Sequence, residues 1–545
     1  MNVMLIELLV VVMNAIKEIA KKILNENVEV INTNFNYNNA SIAVKELLNE
    51  KNYLLSSNSH FGKRRDGKKF YPVIEKIENG FNLLFNGVKK YDEIDYKEPS
   101  EAYTVSSGNP LKSKPFPMAE EFIFKALTNK RLYQYPTITG SLKAKAFVLS
   151  YLLREGFKKD KSNGYDGLGV ENIVFTCSVS QAYYFVLETI LCDEDVVIVT
   201  GPNYGLFAIT PERLNGRVEV INLDEEDNFF VNPSKLAKKI DDVNEKLSME
   251  FKNKKYIPRV KAFLNVNPHN PIGNVMNSKK IDILKGIGDV CLERGVFVID
   301  DLIYRDLSYN EPAIPLATIP KYFNNTISLF GLSKAYGLAS YRAGFVVAPI
   351  PICNGLNDRI FCTMNAVPIL QTYAVAGAYN GTNKRYKLAQ KYFPPLIKEY
   401  KYRFKLFQAL IEGIDVIKNT NESARIMKDI KKTVKDSKKA TILLKGIDNV
   451  EIRKGTIPDS GFFAVVNFTK LKGKKINNML INSESDLVIH MYKTSKFKTI
   501  MGQNMSWPYE DEIIGRFDFA INLENLIDEI WKLHLSLDKE FVCIE

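Results

Sequence analysis

The chain has no Cys-x-x-Cys pair. Its six cysteines, Cys177, Cys192, Cys291, Cys353, Cys362 and Cys543, are scattered singly through 545 residues. That spacing argues against both a zinc site and a disulfide framework, and it suits a reducing, cytoplasmic compartment. The apolar opening from Met1 to Met13 carries Glu7 and lacks a basic leading region and a small-residue cleavage site. It is a poor secretory signal, and it is shorter than the ~20 residues that span a bilayer. No integral membrane contact is expected; the opening, amphipathic from Asn14 to Leu24, reads as a helix packed on the body or on a partner subunit. Lysine and arginine exceed acidic residues by a net +11, but the excess is dispersed. No arginine stripe and no basic–aromatic interleaving is seen, so the charge reads as a solvated surface and no nucleic-acid partner is expected. Internal repeats are absent too.

With 46% hydrophobic and 11% aromatic residues, the chain has material for a sizeable core. Its length suits a large domain plus a smaller one. Residues 1–100 read as an N-terminal extension and part of the small domain, 101–390 as the large domain, and 391–545 as the C-terminal small domain. From Val105 onward, short branched apolar runs alternate with helical stretches, which predicts βαβ units. Seven runs qualify as strands: 173–176, 196–199, 218–221, 261–266, 296–299, 327–330 and 344–348. They are nearly continuous in apolar residues, as strands covered on both faces should be. An α/β fold with a mostly parallel seven-stranded sheet flanked by helices follows. The last third predicts a smaller α+β domain, with a helix over 392–414, strands near 440–444 and 462–466, and a closing helix over 523–535.

Chemistry gathers where these runs end. Ser333-Lys334 follows the sixth run, and a lysine held at a strand end loses hydration, which lowers its pKa and makes the amine nucleophilic toward aldehydes. Arg342 is a fixed charged fork suited to a phosphate. Together they describe a site for pyridoxal 5'-phosphate (PLP). Asn267-Pro268-His269-Asn270-Pro271-Ile272-Gly273 turns sharply after the fourth run and aims an amide into the crevice beyond it. Asp300-Asp301-Leu302-Ile303-Tyr304 leaves the fifth, where a buried carboxylate and a phenol need partners. Thr176 to Ala182 joins a strand to a helix whose first N–H groups form an anion site.

In order and spacing these segments resemble the class I/II aminotransferase family of fold type I PLP enzymes, over about Val105 to Leu535. The resemblance implies that Lys334 forms a Schiff base with PLP, releases it to the amino acid, and moves the α-proton. It implies that Asp301 faces the ring nitrogen, that Asn270 and Tyr304 bond the phenolic oxygen, and that Tyr204 of Gly201-Pro202-Asn203-Tyr204 covers the ring. Val179, Ser180, Ser333 and Arg342 are implied to hold the phosphate, and Tyr135 to reach that of the neighbouring subunit, making a homodimer with shared active sites. Gly108 of Gly108-Asn109-Pro110 would close over the substrate, and Arg516 of Gly515-Arg516-Phe517-Asp518-Phe519-Ala520 would clamp its α-carboxylate. No metal is implied. The chain departs from the family at Ser178 (usually Gly), Ile272 (usually Thr or Ser) and Gly331 (often Ser). The expected activity is amino transfer from an amino acid to a 2-oxo acid. The alternatives are another fold type I reaction, such as a β-decarboxylase or lyase, and an aminotransferase-like transcription regulator.

Overall fold

A computed structural model describes residues 104–537, apart from 107, 109, 111–113, 129, 158–166 and 478. The expected N-terminal extension, with its helix, lies outside the described residues. All seven expected strands form: β1 (Ile173–Thr176), β2 (Val196–Gly201), β3 (Arg217–Asn222), β4 (Val260–Val266), β5 (Phe297–Asp301), β6 (Thr326–Gly331) and β7 (Gly344–Val347). They make one sheet in the order β1-β7-β6-β5-β4-β2-β3. Pairing is parallel from β3 through β2, β4 and β5 to β6, and β7 runs antiparallel to both β1 and β6.

The continuous apolar runs are explained by two separate cores. Val197 and Val199 of β2 join one core, while Val196 and Ile198 join the other. Successive side chains of a strand point to opposite faces, so both faces of this sheet are dry. One face is covered by α1 (Pro117–Leu127), α2 (Leu142–Arg154), α3 (Ser178–Ile190), α4 (Leu206–Arg213) and others; α5 (Pro233–Glu250) and α6 (Ile281–Glu293) cover the opposite one. After β7 come α7 (Ile350–Met364) and α8 (Ile369–Gly381), and α8 is buried without interruption from Ala374 to Gly381. It lies so close to α1 that a Cβ on Gly377 would stand 2.5 Å from the Met118 carbonyl oxygen. Only glycine permits that approach.

The smaller α+β part opens with the long α9 (Leu388–Glu412), followed by α10 (Thr420–Thr433) and α11 (Ser437–Lys445). Its sheet joins β8 (Glu451–Ile452) and β9 (Phe463–Asn467) to β12 (Ile500–Met501) and β13 (Ile514–Asp518), in the order β12-β13-β9-β8; β10 (Lys474–Ile476) and β11 (Met479–Ile481) form a hairpin. Two further helices, α12 (Glu484–Ser495) and the short α13 (Gly502–Met505), precede the expected closing helix, α14 (Leu523–Leu537).

The strand expected at 440–444 is instead part of α11. Its start is fixed by Asp436, whose carboxylate accepts from the Lys438 and Lys439 N–H groups at 2.8 and 3.3 Å. That N-cap, with Ala440 and Leu443 buried at helical spacing, overrides the β-like look of Thr-Ile-Leu-Leu.

The parallel register sets the site. Val266 at the end of β4 pairs with Asp301 at the end of β5, and Asp301 pairs with Leu329 of β6. Three strands therefore deliver their following loops to one edge, where open α/β sheets bind ligands.

Candidate active site

A cavity of about 470 Å³ opens at this edge. Its wall includes Gly108, Val179, Ser180, Tyr204, Asn270, Asp301, Tyr304, Ser333, Lys334, Arg342 and Arg516, all of the sequence candidates but Tyr135. Tyr135 stands outside it, 87% exposed, between the short 3₁₀ turn ending at Tyr133 and α2.

Lys334 lies just past β6, half-buried on the cavity wall, and its amine donates to the Gly108 carbonyl at 2.6 Å. Lost hydration, reinforced by the Arg516 charge and opposed by Asp518, brings the amine down to about 8. Its nitrogen lies 6.0 Å from the centre of the Tyr304 ring.

The two aspartates ending β5 are used differently. Asp300 is satisfied by the protein: one oxygen accepts from the Asn265 amide at 2.8 Å, the other from the Leu316 N–H at 2.9 Å. Asp301 accepts from the Ile303 N–H at 3.1 Å and lines the cavity. Burial pushes its carboxyl up to about 7, with Asp300 adding to the rise. So Asp301 is the carboxyl that has something left to bind.

The anion end is built from the start of α3. The Cys177 N–H donates to Gln181 Oε1 at 2.6 Å, and the N–H groups of Val179 and Ser180 belong to the helix's first turn, which has no earlier turn to bond. Ser178 takes φ +84°, the left-handed region, although it is not glycine. Such a serine costs on the order of 1–3 kcal/mol, and here its hydroxyl accepts from Arg342 Nη2 at 2.8 Å. Arg342 also reaches Ser333 Oγ at 3.5 Å. Where many family members have a serine hydroxyl, Gly331 leaves no room: an added Cβ would meet Ile303 Cδ1 at 2.6 Å and Val179 Cγ2 at 3.0 Å. Ile303 and Gly331 are thus a matched pair, and the third departure, Ile272, is simply buried in the core.

At the other end Arg516, on β13, stacks on Phe463 with its guanidinium carbon 4.2 Å from the ring centre. Nη2 donates to the Ser106 carbonyl at 3.2 Å, and Nε has no partner. A buried guanidinium with a spare donor calls for an anion. Asn270 likewise has a buried, unpartnered Oδ1. Tyr204, 42% exposed, stands at the mouth, edge-on to Phe207.

The donor set fits PLP. One end offers helix N–H groups, hydroxyls and a guanidinium for a phosphate, the middle offers an amine, a carboxyl, an amide and a phenol for a substituted pyridine ring, and the far guanidinium is free for a carboxylate. Sequence reasoning missed Ser106, Phe463 and Ile500 on the wall. No local motif marks them: Phe463 and Ile500 arrive through the antiparallel sheet of the smaller part, and Ser106 lies in a turn ahead of α1.

Residues 103–458 match the family model described as aminotransferase class I and II. The chain is 25% identical to an aspartate aminotransferase of Geobacillus stearothermophilus over 228 residues, 41% of this chain and 52% of that protein. With an arginine–pyruvate transaminase of Pseudomonas aeruginosa it shares 23% over 272 residues, 50% of this chain and 62% of that one. These alignments span little more than half the length of the curated relatives. Among solved structures, an aminotransferase from Escherichia coli superposes with a TM-score of 0.61 at 16% identity, covering 86% of this chain and 99% of that one. The aspartate aminotransferase from Rhizobium meliloti gives 0.61 at 15%, covering 87% and 100%; these two show the shared fold. With the family model matched from before the first strand to beyond the seventh, the chain belongs to the class I and II aminotransferase family.

Proposed function

We propose that the protein is a PLP-dependent aminotransferase that moves an amino group from an amino acid to a 2-oxo acid. The observation that carries this reading is Lys334: an amine brought down to about 8, sharing a cavity with the buried carboxyl of Asp301, with a guanidinium at each end. Pyridoxal phosphate, when bound, supplies an aldehyde for the amine and a ring that takes up electrons.

The chain's own residues divide the remaining work. Val179 and Ser180 N–H groups, the Ser333 hydroxyl and Arg342 hold the phosphate charge. Asp301, ionised once a cation faces it, would hold a proton on the ring nitrogen. Asn270 and Tyr304 would bond the phenolic oxygen, and Tyr204 would cover the ring. Arg516 grips the substrate α-carboxylate through two parallel hydrogen bonds, which fixes the Cα–H bond for attack. Lys334 Nζ, already short of water, accepts that proton as general base. The Gly108 loop closes over the substrate.

A homodimer with shared sites belongs to this reading. Phe124, Leu127, Tyr133, Tyr135 and Leu142 stand 48% or more exposed as the chain runs from α1 to α2, with exposures of 64%, 48%, 87%, 87% and 68%. Such a run suits burial against a second copy, with Tyr135 reaching that copy's phosphate. The five described cysteines are all free, which supports a reducing, cytoplasmic setting.

Three outcomes test the reading. With PLP, an amino donor and a 2-oxo acid, the wild type should turn over, and Lys334→Ala should lose at least ~10²–10⁴-fold in kcat; equal rates in the two proteins would refute the assignment. Mixing Tyr135→Ala with Lys334→Ala should restore activity that neither has alone, because one hybrid site then has both residues. No recovery in dimers shown to have exchanged chains would exclude shared sites.

The third outcome is a pH dependence of the cofactor-free protein. The Asp301 carboxyl keeps its proton up to about 7 in the native state, whereas an unfolded aspartate releases it near pH ~4. Native protein therefore binds the extra proton between these limits, so its stability falls as pH rises through that window. Asp301→Asn has nothing to ionise there. Its Tm advantage over wild type should grow from pH 4 to 7 and level off above; a constant difference would mean that Asp301 is already ionised.

A further inference from the structure

The part of the cavity beside Arg516 is lined by apolar side chains. In the antiparallel pairing of β12 with β13, Ile500 stands directly opposite Arg516. Directly opposed residues share a sheet face, so the carboxylate clamp has an isoleucine as its cross-strand neighbour. Phe463, opposite Asp518 on β9, lies on that face too and stacks on the Arg516 guanidinium. Across the opening, Tyr204, Leu206 and Ile209 keep exposed or half-exposed surface on the wall.

Cations on this wall are few. Among the described residues lining the cavity they are Lys334, Arg342 and Arg516. Arg342 is tied to Ser178 and Ser333 at the anion end, and Lys334 is the reacting amine. Arg516 has one face against Phe463 and serves the α-carboxylate. None is left for a second carboxylate, and burying an unpaired one against isoleucine and phenylalanine would be costly.

We propose, building on the aminotransferase reading, that the preferred amino donor has an apolar or aromatic side chain rather than a second carboxylate, with Ile500 as a specificity-determining residue. Ile500 gives the side chain an apolar contact and denies a dicarboxylate its counter-ion. The preference is a difference between two affinities, set as much by this missing cation as by the contact it makes.

The test uses unreactive carboxylates with the PLP-loaded enzyme, read by calorimetry. The wild type should bind 3-phenylpropanoate on the order of tenfold or more tightly than succinate, the scale on which apolar pockets discriminate. Ile500→Arg should reverse the order, and Ile500→Ala should weaken 3-phenylpropanoate while leaving succinate weak. Tighter succinate binding by the wild type would overturn the proposal, as it would if a second copy delivered a cation here. So would an Ile500→Arg protein that binds PLP normally but keeps the wild-type ratio. A donor panel separates this proposal from the reading beneath it. Turnover with phenylalanine or leucine at higher kcat/KM than with aspartate or glutamate supports both. Turnover that favours the dicarboxylates sinks the specificity proposal alone. If no amino acid reacts, the aminotransferase reading fails, while the carboxylate affinities still report the pocket.

Discussion

The site depends on one constraint: charges placed at the ends of dry strands have little water to stabilise them. Asp301 and Lys334 leave β5 and β6 into the same cavity, and each is pushed toward its neutral form, the carboxyl up to about 7 and the amine down to about 8. The same burial that makes both charges unfavourable is what suits them to a ligand. On the proposed reading, Asp301 would face a protonated ring nitrogen as its counter-ion, and the Lys334 amine would be available to an aldehyde. Arg516 follows the same logic at the far end, a buried guanidinium with an unpartnered Nε. Stability and function oppose one another here, as expected where burial perturbs ionisable groups gathered in one cleft.

The sheet was the most legible part of the sequence, because strands covered on both faces leave runs with little polar interruption. Val196 to Val199 shows this well, its residues alternating between two cores. Asp301 could be told from Asp300 only through family resemblance; in the fold the distinction is physical, since Asn265 and Leu316 already satisfy Asp300. The stretch at 440–444 was misread as a strand because its cap, Asp436, lies outside the apolar run itself. Phe463 and Ile500 gave no local signal. Their place beside Arg516 exists only once β9 and β12 pair on either side of β13.

The departures from the family pattern are coupled to their surroundings. Ser178 holds a left-handed conformation without being glycine, and its hydroxyl meets Arg342 at 2.8 Å. Gly331 gives up a hydroxyl, and Ile303 fills the space a side chain there would need. One position adds a polar group to the anion end and the other removes one. The cradle keeps its helix N–H groups and its guanidinium, the two features that act on an anion through fixed charge and dipole.

The most direct test of the account is to reduce the PLP-loaded protein with borohydride, digest it and locate the modified residue by mass spectrometry. The account predicts one PLP-modified lysine in stoichiometric yield, in the peptide containing Lys334. A label on any other lysine, or a loaded protein that borohydride leaves unmodified, would contradict it.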